Sequence, residues 1–226
     1  MFLEDVETFG TVVDGVPSGF AGGVANYSGH NARVTQFCGF LNLMATQRRS
    51  LLTEETRLRN VLLQKRVVET NEKGEFVSAF AKDRDAYNLE KSALLAVCSS
   101  SNKEEIRDAL LHEAMHGLFY VDSKFRAFCY AFWERECDES ERTLWRRFLV
   151  NLRYNAENDE ELAVNELQAY MATERKLFDA STKSSTDVKL LKSLQHKFSR
   201  AACKRDIFGS KAPPSVGAST KLVWIG

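Results

Sequence analysis

At Ser101-Asn102-Lys103-Glu104 the texture of the chain changes, and Leu110-Leu111-His112-Glu113-Ala114-Met115-His116-Gly117-Leu118-Phe119-Tyr120 follows. Ser101 with Glu104 three residues on forms a capping box, which predicts a helix running to about Tyr120. From there helix follows helix. Phe125, Phe128, Cys129, Phe132 and Trp133 recur at helical spacing, as do Leu144, Trp145, Phe148, Leu149 and Leu152. Asn158 to Leu177 predicts another, with Asn158 as N-cap and Glu161 completing a second capping box. Beyond Asp179-Ala180-Ser181-Thr182-Lys183-Ser184-Ser185, a last helix is striped by Val188, Leu191, Leu194 and Phe198.

Upstream of Ser101 the pattern differs. Residues 1–31 are punctuated by Asp14-Gly15-Val16-Pro17-Ser18-Gly19 and Gly22-Gly23, and read as loops and short strands without a phosphate-cradling glycine motif. Residues 33–57 look helical. Two β-prone runs, Asn60–Glu69 and Glu75–Phe80, flank Asn71-Glu72-Lys73-Gly74 and predict a hairpin. Ala93–Cys98 reads as one more buried strand. The outline is α+β, a small N-terminal β-sheet region with a helical C-terminal half. Residues 1–178 are expected to form the main domain, and 179–226 a linker, a basic amphipathic helix and a tail.

Composition sets the outer bounds. The chain has 226 residues, 44% of them hydrophobic, with 31 Lys+Arg against 31 Asp+Glu. That length suits one globular domain burying about 70% of its unfolded surface, so no staple is needed for folding. No apolar run is long enough for a transmembrane helix. Met1-Phe2-Leu3-Glu4-Asp5 carries acids where a signal peptide would carry Lys or Arg. Five scattered cysteines with no C-x-x-C pair read as reduced thiols, so a cytoplasmic location is expected. From Ser181 onward nine Lys/Arg face two Asp/Glu, leaving the rest of the chain acidic. A basic tail packing against an acidic domain is the expected meaning. The tail carries no nucleic-acid-binding motif, so a nucleic-acid partner is not expected.

His112-Glu113-Ala114-Met115-His116 is the motif that carries chemistry. Histidines four residues apart on a helix project from one face and can hold one Zn²⁺ together. Glu113 lies about 100° round the helix from His112, where it can face the metal's open position as a general base without being a ligand. Ile106, Leu110, Ala114 and Gly117 form an apolar stripe on another face, expected to anchor the helix in the core and leave the histidine flank lining a cleft.

In this respect the chain resembles the zincin metallopeptidases, over roughly residues 101–175. Such enzymes use three protein ligands and keep a fourth position for water. The metzincin continuation is excluded, because Phe119 stands where it requires glycine. The run from Leu111 to Phe119 also resembles the SprT-like proteases that act on DNA–protein crosslinks. Those take a third histidine shortly downstream, whereas the next histidine here is the distant His196. The gluzincins instead use a glutamate on a second helix, often in an Asn-Glu pair, and Asn165-Glu166 fits. Glu166 shares its stripe with Leu162, Ala163, Leu167 and Tyr170, an apolar setting in which an unpaired carboxylate is costly and a metal would offset the cost. Tyr170, one turn later, could donate to a developing oxyanion.

The resemblance therefore implies a zinc metallopeptidase of gluzincin type, hydrolysing a peptide or protein substrate through a zinc-activated water. His112, His116 and Glu166 would be ligands, Glu113 the base, and Tyr170 a candidate catalytic residue. The gluzincin aminopeptidases anchor the substrate amine with G-x-M-E-N, but Gly22-Gly23-Val24-Ala25-Asn26 has Ala25 in place of the glutamate, so endopeptidase or carboxypeptidase action is expected. Two alternatives stay open: a zinc-stabilised scaffold that binds a partner without hydrolysis, and a DNA-associated SprT-like protease.

Overall fold

The computed structural model describes residues 29–79, 92–97, 102–152, 154–178 and 186–208. Strand β1 (Gly29–Arg33) runs directly into α1 (Val34–Thr46), and α2 (Thr53–Gln64) follows. The segment predicted as helical at 33–57 is thus two helices. The second claims Asn60–Gln64, which the sequence pattern assigned to a strand. A short apolar run fits either period, and here Leu58 and Leu62, one turn apart, pack into the cluster under α1. The hairpin is correspondingly shorter, β2 (Val68–Thr70) against β3 (Phe76–Ser78), with Thr70 opposite Phe76. Its turn is built as the sequence suggests. Asn71 Oδ1 accepts from the amides of Lys73 and Glu75, and Gly74 takes φ +79°, which side-chain-bearing residues rarely adopt.

Strand β4 (Ala93–Val97) pairs antiparallel with β1, Asn31 opposite Leu95. It is not the buried strand expected, since Leu95 is 37% exposed. The face that carries Ala93 and Leu95 lies on α3 (Lys103–Val121), where Gly117 sits beneath both side chains.

The helical half continues with α4 (Ser123–Arg135), α5 (Glu139–Asn151), α6 (Glu160–Thr173) and α7 (Thr186–Lys204). Each of the first four helices from α3 onward starts on an Asn or Asp whose carboxyl or amide oxygen takes up free amides of the first turn. Two caps fall one residue later than expected. Asn102, with Glu105, caps α3, and Asp159 caps α6, accepting from Leu162 N at 2.9 Å. Glu161 is accordingly not a capping-box residue; its carboxylate pairs with Arg33 and Arg126. Helix α6 ends at Thr173, short of Leu177, where the Glu174 side chain takes up the next amides.

One apolar cluster unites α3 to α7, with Phe119, Phe132, Trp133, Trp145, Leu167 and Phe198 at its centre. The Phe125–Trp133 stripe is core, as its spacing predicts. Trp145 Nε1 donates to Ala163 O at 2.8 Å, tying α5 to α6. Helix α7 buries Leu191, Leu194 and Phe198 in this cluster. It also meets acidic side chains through Lys197–Glu141 and Arg205–Glu136, while its own Asp187 pairs with Arg147. The charge asymmetry of the sequence is therefore partly spent inside the fold. The whole is an α+β arrangement, with seven helices among the described residues. None of these helices is long and apolar enough to cross a membrane.

Candidate metal centre

Helix α3 is covered on two sides, by the β1–β4 sheet and by α6. This overturns the simple division of its faces. Of the expected apolar stripe Gly117 is buried under the sheet but Ile106, Leu110 and Ala114 are only half-buried, whereas Ala109, Met115, His116, Phe119 and Tyr120 are buried. The histidine flank is not the wall of an open cleft. It faces the seam with α6, with His116 1% exposed and His112 partly open at the edge.

In that seam three donor atoms converge. His112 Nε2 lies 3.2 Å from His116 Nε2, and each lies 3.7 Å from Glu166 Oε2. Atoms with those separations lie on a circle of radius about 2 Å, the length of a Zn–N or Zn–O bond. The contacts to Glu166 are too long for hydrogen bonds, and Oε2 is buried with no hydrogen-bond partner among the described residues. The three residues can hold a metal ion.

The partners of the outer ring nitrogens fix which atoms face inward. His116 Nδ1 lies 3.0 Å from Asn165 Oδ1. The Asn165 amide is turned by its own Nδ2 donating to Tyr120 OH at 3.2 Å, so its oxygen faces the imidazole as an acceptor. The ring proton is therefore assigned to Nδ1, which leaves a lone pair on Nε2. Gln168 Nε2 also donates to Asn165 Oδ1 at 3.2 Å and steadies the amide. His112 Nδ1 faces Thr173 Oγ1 at 3.5 Å, and that hydroxyl is spent on Ala169 O. Both imidazoles thus turn Nε2 toward Glu166.

Electrostatics agree with the geometry. Burial opposes charge on Glu166, but His116 and His112 outweigh it and hold its carboxyl below the ordinary range. Burial likewise lowers His112, yet Glu166, with Glu113 and Glu174 behind it, raises it overall. The seam favours positive charge beside Glu166. Glu113 is different: burial pushes it above the ordinary carboxylate range, and His116, His112 and the Asn31 amide only partly pull it back. A raised carboxyl beside the donor set suits a group that takes up and returns a proton.

Glu113 is set by the sheet. Its Oε2 accepts from Asn31 Nδ2 at 2.8 Å, and its side chain lies against Gly29. Tyr120 OH donates to Asn31 Oδ1 at 2.7 Å, and Arg33 lies over the Tyr120 ring at 5.0 Å while pairing with Glu161. Gly29, Asn31 and Arg33 alternate along one face of β1, all engaged with the site. Sequence reasoning missed them. The usable signals were Asn165, adjacent to Glu166, and Tyr120, one turn after His116.

Tyr170 packs edge-on to His112, ring centroids 4.7 Å apart, and its hydroxyl is paired with that of Tyr154. Burial, then Glu166, pushes its pKa up, so it is a neutral phenol. The structure therefore brings together His112, Glu113, His116, Glu166 and Tyr170. His196 lies exposed on α7 and is not in the cluster, and Gly22–Asn26 fall outside the described residues. No protein-family model matches the chain, and neither a curated protein nor a solved structure does.

Proposed function

We propose that this chain is a zinc-dependent metallopeptidase of gluzincin type, with His112, His116 and Glu166 as ligands and Glu113 as general base. The observation that carries the reading is the meeting, at separations of 3.2 and 3.7 Å, of two imidazole lone pairs and Glu166 Oε2, which has no hydrogen-bond partner among the described residues. Two lone pairs and a carboxylate oxygen repel one another unless a cation lies among them. One proton between the two Nε2 atoms at 3.2 Å would still leave Glu166 Oε2, 3.7 Å from each, without a partner, whereas an ion common to all three serves every donor. Two imidazoles with one carboxylate match the donor set of catalytic zinc sites that keep a position open.

Bound zinc would supply a Lewis acid for the scissile carbonyl and acidify the attacking water. The protein's own groups do the rest. Glu113, its pKa raised by burial, accepts the water's proton and passes it to the leaving amine. Asn165 and Thr173 hold the two imidazoles with Nε2 inward. Tyr170 stands edge-on to His112 and, as a neutral phenol, can donate to negative charge developing on the carbonyl oxygen.

Incubating the zinc-loaded chain with a peptide library tests the reading. Cleavage should occur and should fall by about 10²–10⁴-fold in Glu113→Gln, with zinc content unchanged. Equal cleavage by wild type and Glu113→Gln would remove the base from the mechanism. Zinc bound without any cleavage would instead favour a scaffold.

A further inference from the structure

We infer that Asn31 and Tyr120 are positioning residues, joined in a one-way hydrogen-bond chain that aims Glu113 from the far side of the metal ligand His116. The inference rests on the metallopeptidase reading above. The chain has four bonds. His116 Nδ1 donates to Asn165 Oδ1 at 3.0 Å, and Asn165 Nδ2 to Tyr120 OH at 3.2 Å. Tyr120 OH then donates to Asn31 Oδ1 at 2.7 Å, and Asn31 Nδ2 to Glu113 Oε2 at 2.8 Å. These residues come from three separate elements, β1, α3 and α6.

The phenol is what makes the chain directional. It has one proton, spends it on Asn31, and can therefore only accept from Asn165. That single choice fixes both amides. Flipping Asn31 would set its NH₂ against the Tyr120 hydroxyl proton and its oxygen against the Glu113 carboxylate. Flipping Asn165 would set its NH₂ against the His116 Nδ1 proton. With Glu113 ionised and the His116 Nε2 lone pair given to the other donors, only this polarity satisfies every member, and bonds aligned in one sense strengthen each other in a buried setting.

The two ends have matching consequences. With its Nδ1 proton held, His116 turns Nε2 to the other donors. With Oε2 held, Glu113 keeps Oε1 for the proton it must move. Strand β1 is thus a working part of the centre, although it supplies no ligand.

The test uses the full chain, ¹⁵N-labelled and titrated with Zn²⁺ alone, observing side-chain amide resonances by NMR. In wild type, zinc should move the resonances of both Asn165 and Asn31. With Glu113→Ala removing the direct route from the metal to Asn31, zinc should still move the Asn31 resonances, and should no longer move them once Tyr120→Phe is added, while Asn165 responds in both. An Asn31 response that survives Tyr120→Phe in the Glu113→Ala background would overturn the chain. Silence of Asn165 in wild type would mean that no metal binds at His116, so the metallopeptidase reading fails first and the inference with it. On a cleaved library peptide, Asn31→Ala and Tyr120→Phe should each lower kcat by about tenfold to a hundredfold with KM nearly unchanged, and zinc affinity should hold because Gln168 Nε2 still keeps Asn165 Oδ1 on His116. The double variant should be no worse than the poorer single one, because both break the same chain. Additive losses would show two independent effects and contradict it.

Discussion

The α-carbon of Gly29 lies against the Glu113 side chain so closely that a methyl group there would stand 2.6 Å from Oε1 and 2.8 Å from Cγ. The backbone angles at Gly29 do not require glycine; the approach of β1 to the base does. Gly29→Ala should therefore displace Glu113 while leaving the ligands in place. A misplacement on the ångström scale costs about 10²-fold in turnover. Peptide cleavage should fall by that order with zinc affinity unchanged in a chelator competition. Normal turnover would show that the base works from another position.

The buried amide of Asn165 makes a second prediction. Asn165→Ala leaves the His116 Nδ1 proton without its acceptor and frees the ring to turn. Loss of such an outer partner lowers metal affinity by about tenfold to a hundredfold. The orphaned donor should also cost about 1–3 kcal/mol of stability, read from denaturant unfolding of the metal-free protein. An unchanged zinc affinity would mean that His116 is held by packing alone.

Glu161 has a role the sequence did not suggest. It bridges Arg33 at the end of β1 and Arg126 on α4, and its side chain is 40% exposed. Water screens so open a cluster, and Glu161→Gln should cost no more than about 1 kcal/mol. Zinc affinity should stay as in wild type, because the bridge steadies β1 without touching the donors. A tenfold loss of zinc affinity in Glu161→Gln would place this carboxylate in the metal centre instead.

How much of this was legible depended on whether the signal was local. His112, Glu113 and His116 stand out because one helix fixes their relation, and Glu166 because a carboxylate on an apolar stripe needs a reason. Asn31 and Gly29 were not legible. Asn31 meets a side chain 82 positions away across a strand-to-helix contact, and amide hydrogen bonds leave no periodic trace. The face of α3 was misread because a helix covered by a sheet on one side and a helix on the other carries two apolar surfaces. The caps at Asn102 and Asp159 were displaced by one residue because Ser101 and Asn158 beside them are equally good capping types.

The central claim is that Glu166 completes a metal centre with the two histidines. Its most direct measurement is a zinc titration against a competing chelator, on the wild-type chain and on Glu166→Gln. The amide is nearly the same size, so packing is kept while the charged donor is lost. The account predicts one tightly bound ion per wild-type chain, and an affinity at least about tenfold weaker in Glu166→Gln, since a neutral amide is a poor zinc ligand. Equal affinity and stoichiometry in the two proteins, or no zinc bound by the wild-type chain, would contradict it.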